Sequence, residues 1–475
     1  MSLYMFSNYT KNITRDRSIA FWLLAIYLAA IFCFGGSSRD DVESSAILQP
    51  LSVFMTALAL VTLNKKEVLQ NLSTIIACTL IVIVVCIYLI PFPHSYWNDL
   101  ASHQLIEEVD RQVEIDNVWR ALAINHFAGV STFFSILVPI GVLLLSIQTQ
   151  KDERFDILAI LVFLGILSAL IGLFQAIGSP HGPLYFYRIT NNGSAVGLFA
   201  NRNHQALLLA IMFPMIAIFA SSTLQTRFNR YRNAIALALA TFLVPMILVT
   251  GSRAGLALSI PAIVSAMYLY RRSVRGNHAY TAKTSQRLQM VVVTAVTFML
   301  LFATIIASRA TALERLLKTG DGPEDRFSTW SYIIDMAWAY FPFGTGPNGF
   351  SSGYTAMEHT ALLDSTYLNR AHNDWIELFA TFGLPALVVV VIAVAALAWK
   401  CAGIRNQKYG ARDTQFILLG LVILMLVSLS SFVDYASRTP IISSVAMLAL
   451  SWVFVSNSNR ISKTMRKQKT VEVVG

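Results

Sequence analysis

Four short clusters hold most of the side chains with chemical reach: Arg188 in YFYRITNNGS, Arg202 in FANRNHQA (199–206), Arg253 in TGSRAGLA (250–257) and His372 in NRAHNDWIE (369–377). A guanidinium stays charged and offers a planar fork of donors that matches phosphate oxygens. A neutral imidazole accepts a proton near neutral pH, so His372 is the candidate general base. Together these types suit chemistry in which an anionic, phosphate-bearing ligand is held and a hydroxyl is activated beside it.

The neighbours sharpen this reading. Asn201, Asn203 and His204 crowd around Arg202, and Ser252 precedes Arg253 as a plausible helix cap. Arg370 and Asn373 flank His372. The last three clusters open apolar runs, with Arg188 in the short loop before the first of them, and a helix start carries unpaired N–H groups and about half a positive charge, which favours anions. That same positive end disfavours imidazolium and keeps His372 able to accept a proton. Asp374 or Glu377 could oppose this or orient the ring. Plainer readings stand beside these: Arg253 snorkelling to lipid phosphates, Arg188 as an interfacial anchor, His372 as a structural histidine. Asp40 and Asp41 are the adjacent acids of a short loop and read as solvated, and no His/Asp/Glu cluster has metal-ligand spacing. The expected site is metal-independent and needs no cofactor.

The elements that must position these residues are membrane helices. Of 475 residues 55% are apolar and 13% charged, a balance suited to lipid as the main solvent. With about 20 apolar residues needed to cross a bilayer, the sequence predicts twelve spans. They run 19–36, 47–63, 72–92, 126–147, 156–178, 203–222, 233–250, 252–270, 288–307, 373–399, 414–433 and 439–457. Such runs mean helices, because backbone polar groups in hydrocarbon must pair within the segment. The expected fold is one all-α polytopic domain over 1–475. The first run, although it follows Lys11, Arg15 and Arg17, exceeds a usual signal-peptide core and reads as a retained helix.

Loop charge sets the orientation. An inside N-terminus puts 24 of the 36 Lys and Arg on the cytoplasmic side, for net charges of +17 inside and −7 outside, as the positive-inside rule requires. The basic balance therefore reports topology and not nucleic-acid binding. Eleven of the twelve external basic residues are arginine, whereas lysine is used freely inside. Both termini, including the basic tail 458–475, are expected in the cytoplasm. Two external segments are long, 93–125 and 308–372. Within the second, DRFSTWSYIIDMAWAYF (325–341) places Trp330, Ile334, Ala337, Trp338 and Phe341 at helical spacing, as for a helix on the membrane surface. FGTGPNGF (343–350) follows as a tight turn. Cys33, Cys78, Cys86 and Cys401 form no disulfide or zinc pattern.

With GLFANRNHQA, VTGSRAGLAL, PFGTGPNGF and RAHNDWIELFATFGLPAL in this order over residues 185–400, the chain resembles the O-antigen ligase/polymerase superfamily of bacterial inner-membrane proteins. The N-terminal third resembles it only in hydropathy. The resemblance implies a GT-C-like fold with a large periplasmic loop and a glycan donor on undecaprenyl diphosphate. It also implies an acceptor that is a saccharide or is lipid-linked, and membrane lipids and other polysaccharide-assembly proteins as partners. It assigns diphosphate binding to Arg253, Arg202 and Arg188, and acceptor activation to His372. The implied reaction is an inverting attack on the anomeric carbon, with the lipid diphosphate leaving. A polymerase of repeat units in O-antigen, capsule or exopolysaccharide synthesis is slightly favoured over a ligase that moves finished glycan to lipid A core or protein. A transporter is the competing class, but its ionisable groups would lie near the midplane, where these spans are nearly free of charge.

Overall fold

The structure is a computed structural model that describes residues 17–39, 41–221, 232–275, 323–358, 360, 368–406 and 409–454. The first half contributes α1 (Ile19–Phe34), α2 (Ser45–Thr62), α3 (Leu72–Leu89), α4 (His126–Gln148), α5 (Arg154–Ile177) and α6 (Arg202–Ser221). It continues with α7 (Arg232–Thr250), α8 (Arg253–Arg275), α9 (Pro323–Ala339) and α10 (Phe350–Met357). The last elements are α11 (Asp374–Asn406), α12 (Ala411–Ser430) and α13 (Pro440–Val453). Among the described residues, nine helices are long and apolar enough to cross a membrane. The protein is thus all-helical and membrane-embedded. α1 and α13 are shorter apolar helices, and the predicted span 288–307 lies outside the described residues.

α3 and α6 stand at opposite ends of the range of burial among the described spans. The spanning window of α3 has mean hydropathy 2.8 and is 22% buried, whereas that of α6 has 1.8 and is 94% buried. Lipid offers a helix no polar partner, so the faces that meet it must be apolar; a helix wrapped by protein can carry polar groups that its neighbours satisfy. α6 is therefore the centre. It packs against α5, α7, α8 and α12, and a Cβ on Gly255 of α8 would fall 2.2 Å from that of Ala206. Small residues at this crossing let the two backbones, and hence the starts of both helices, come together.

The long segment 93–125 is folded. A two-residue antiparallel bridge pairs Pro91 with Ala121 and Phe92 with Arg120, and fully buried Trp97 anchors what lies between. The helix predicted over 325–341 forms as α9, but its apolar residues divide between two faces. Ile333, Met336, Ala337 and Tyr340 are buried with Phe350, Tyr354, Ala371 and Ala380, while Ile334, Trp338 and Phe341 stay exposed. Ala337 therefore belongs to the packed face and not to the stripe predicted with Trp338.

The turn after α9 is a junction. Gly344, Gly346 and Asn348 have positive φ. Thr345 and Gly346 donate backbone bonds of 3.1 and 2.8 Å to the carbonyls of Ala380 and Thr381. Those carbonyls are available because α11 breaks at Gly383 (φ 53, ψ −128), where a Cβ would lie 2.1 Å from the Pro342 oxygen. The Tyr88 hydroxyl donates to Phe343 and Phe382 carbonyls at 2.6 and 3.0 Å, and Ile124 N–H donates to Thr345 O at 3.1 Å. One turn thereby ties α3, the folded 93–125 segment and α11 to the segment that carries His372.

Candidate functional site

The starts of α6 and α8 are bonded to each other, and the residues just before α11 reach the α6 start through a shared carboxylate. Asn201 caps α6, its side-chain oxygen accepting from Asn203 N–H at 2.8 Å and its carbonyl from Gln205 N–H at 3.2 Å. Arg202 N–H donates to Asn191 Oδ1 at 3.0 Å. Ser252 caps α8, accepting from Gly255 N–H at 3.0 Å, and its hydroxyl donates to Asn203 Oδ1 at 2.7 Å. A serine on one helix and an asparagine on the other thus lock the two starts together. Arg202 and Arg253, the first residue of each helix, are half-buried there. The approach to α6 is held from behind, because Gly36 O accepts from Ala200 N–H at 3.0 Å and Gly36 N–H donates to the Tyr187 hydroxyl at 2.7 Å. Burial pushes that phenol up to about 12, so it stays protonated.

His372 precedes α11 by two residues. Asn373 caps that helix, accepting from Trp375 and Ile376 N–H at 3.0 and 3.1 Å. His372 has φ +50, a left-handed backbone costing a non-glycine residue of order 1–3 kcal/mol, so its surroundings must hold it there. Ala371 N–H donates to Glu377 Oε2 at 2.9 Å, and Trp330 Nε1 donates to Ala371 O at 3.2 Å. Asn373 Nδ2 donates to Phe432 O at 3.1 Å, and Asp374 N–H to Ser431 O at 2.8 Å. The histidine is clamped on both sides with its side chain 21% exposed.

Asp374 and Glu377, the carboxylates that could have oriented this ring, are engaged elsewhere. Glu377 is fully buried and meets Arg370 and Arg438, each at 3.2 Å, while Asp374 meets Arg438 at 3.2 Å and the hydroxyls of Ser431 and Ser437. The carboxylate that faces the imidazole is Asp434, fully buried, with Oδ1 3.7 Å from His372 Nδ1. The same oxygen lies 3.9 Å from Nε2 of buried His204. The Tyr435 ring packs on both imidazoles, at 5.0 Å from His372 and 5.2 Å from His204. Asp434 and Tyr435 went unnoticed in the sequence. The available signal was a lone acid in SFVDYASR, between the last two apolar runs.

The other predicted residues fall in two groups. Arg370 is buried and bonded to Asn348 Oδ1 at 2.6 Å as well as to Glu377, which makes it a strut between the FGTGPNGF turn and α11. Arg188 is 80% exposed and pairs with Asp41 at 3.3 Å, lining a shallow depression with Arg39. Arg39 also bonds Asp41 and holds its carboxyl below the usual carboxylate range. Asp40 lies outside the described residues, as do Arg309, Arg315 and Lys318. Several of the arginines predicted to be external thus balance carboxylates, so part of the arginine enrichment is structural.

Behind the α11 start lies a cavity of about 660 Å³. Its rim is polar, with Ser37, Arg39, Asn348, Arg370, Asp374 and Arg438, and its depth is apolar, with Ile81, Val85, Ile136, Val390, Val394 and Leu424.

By their chemistry, arginines on adjoining helix starts can hold an anion, and a histidine clamped beside a buried carboxylate can accept a proton. Residues 237–391 match the model of a protein family described as O-antigen ligase. Over 322 residues the chain is 26% identical to the teichuronic acid biosynthesis protein TuaE of Bacillus subtilis (strain 168), a match covering 66% of this chain and 62% of that relative's length. Both matches are consistent with the resemblance of this chain to the O-antigen ligase/polymerase superfamily.

Proposed function

We propose that the protein is an inner-membrane glycosyltransferase of surface-polysaccharide assembly, with its site on the periplasmic face and undecaprenyl-diphosphate-linked glycan as donor. The observation that carries this reading is that His204 at the α6 start and clamped His372 face one buried carboxylate, with the α8 start bonded to that of α6. Arg202 and Arg253, with the helix N–H groups behind them, bind the diphosphate and stabilise the charge that grows on it as it leaves. His372 takes the proton of the acceptor hydroxyl. The acceptor oxygen then bonds to the anomeric carbon from the face opposite the diphosphate, and the carbon–oxygen bond to phosphate breaks with inversion. Arginines supply the charge neutralisation, so no metal is required by this scheme. The cavity, apolar in its depth and polar at its rim, suits a lipid tail whose head lies at the site.

The favoured activity is a repeat-unit polymerase. The similarity to an O-antigen ligase family favours a second reading, a ligase passing finished glycan to lipid A core or protein. Deleting the gene and sizing the lipid-linked oligosaccharides separates them: single repeats accumulate if the protein is a polymerase, and long chains if it is a ligase. An unchanged pool would overturn both.

Arg253→Lys tests the diphosphate assignment. Lysine keeps the charge but loses the bidentate fork, so the turnover of lipid-linked oligosaccharide by purified protein is expected to fall about tenfold, on the scale of a lost charge-assisted hydrogen bond. Full activity would mean that only charge matters at this position.

A further inference from the structure

His204 presents a problem that the proposed reaction does not use. It is 1% exposed, and neither ring nitrogen has a hydrogen-bond partner among the described residues. Burying an imidazole without partners is costly, so its placement calls for a function. Its Nε2 faces the oxygen of Asp434 that also faces His372, and His372 Nδ1 likewise lacks a partner among the described residues.

We infer that Asp434 and His204 are a positioning pair for His372. The Asp434 carboxylate accepts from His372 Nδ1–H, which presents Nε2 to the acceptor hydroxyl, and His204 Nε2–H holds the carboxylate from the opposite side. The inference rests on the proposed role of His372.

The backbones are already in place. Asp434 N–H donates to Ser430 O at 3.0 Å, and Tyr435 N–H donates to Asp434 Oδ1 at 2.9 Å. The residues on either side of His372 are pinned as described, and the Tyr435 ring sets the distance between the two imidazoles. At 3.7 and 3.9 Å the gaps are too wide for hydrogen bonds. Each closes by about 1 Å of side-chain rotation, as catalytic hydrogen bonds do when a substrate arrives. Other charged groups near the ring do not compete for it, since Asp374, Glu377, Arg370 and Arg438 are paired with one another. The arrangement is not a metal site in this form, because no group of three His, Cys, Asp or Glu among the described residues has metal-holding geometry. Its logic is that of a carboxylate that selects a tautomer and steadies the imidazolium formed on proton transfer.

The test uses purified full-length protein and, as substrate, the lipid-linked oligosaccharides extracted from the deletion strain. Asp434→Asn keeps the shape and the Tyr435 bond but can offer an N–H to His372 where an acceptor is needed. It is expected to lower kcat by about 10²- to 10⁴-fold, with KM and the thermal midpoint in detergent unchanged. Asp434→Glu restores part of kcat, and His204→Gln, still a donor, loses less than His204→Phe. Wild-type kcat in Asp434→Asn would overturn the inference, as would a loss matched by a lower thermal midpoint and not relieved by glutamate. If His372→Asn is also active, the proposed function fails first and this inference with it. Inactive His372→Asn with active Asp434→Asn removes the positioning pair alone.

Discussion

Replacing His372 by asparagine is expected to abolish surface polymer while the protein accumulates in the membrane at wild-type level. A positioned general base contributes about 10²- to 10⁴-fold to a rate, and of the two imidazoles that face Asp434, His372 is 21% exposed and His204 only 1%. His94 is paired with Glu107 at 2.7 Å, His103 is buried against Ala121 O at 3.0 Å, and His204 is enclosed. Asparagine is chosen over alanine because residue 372 has φ +50, a region asparagine tolerates better than other non-glycine residues. His372→Ala should lose the same activity and also about 1 kcal/mol of stability through backbone strain. Surface polymer of normal amount and length from His372→Asn would refute the assignment of the base.

Glu377→Gln is expected to be the most damaging isosteric change in the protein. Its carboxylate is fully buried, meets both Arg370 and Arg438, and accepts from Ala371 N–H. Glutamine offers one acceptor oxygen where three donors converge, and its amide must turn N–H groups toward a guanidinium or the Ala371 N–H. Breaking a buried pair by removing one partner costs about 3–5 kcal/mol, because the charges left behind are uncompensated. The thermal midpoint of the detergent-solubilised protein should fall by several degrees. Activity should fall further than stability explains, since Glu377 holds the backbone beside His372. A variant that melts like wild type would show that solvent or lipid headgroups replace the carboxylate.

The contrast between Arg253 and Arg370 shows how far the sequence could be read. Both are external arginines near apolar helix starts, and by residue type they are equivalent. Only the fold separates them: Arg253 opens α8 at the junction with α6, whereas Arg370 is enclosed between Asn348 and Glu377, residues distant from each other along the chain. Arg188 has a similar lesson. Its aromatic neighbours suggested either an anion contact or an interfacial anchor, and the structure pairs it with Asp41 from the first external loop.

The covalent order of the chain by itself determined the solvent of this protein, its helical class and the places where polar chemistry meets apolar runs. Those properties depend on local composition: about 20 apolar residues cross a bilayer whatever their partners, and a helix start is an anion site whatever surrounds it. Tertiary structure decided which helix is central, since mean hydropathy does not rank the spans by burial: α6 at 1.8 is 94% buried and α8 at 1.3 only 28%. It also decided which carboxylate stands beside His372. Asp374 and Glu377 are neighbours of His372 in sequence, but α11 turns them toward the arginines, and the chain returns 62 residues later to bring Asp434 to the ring. Such a contact is a property of packing, because no local pattern of hydropathy or spacing encodes a meeting between the segment before α11 and the segment after α12.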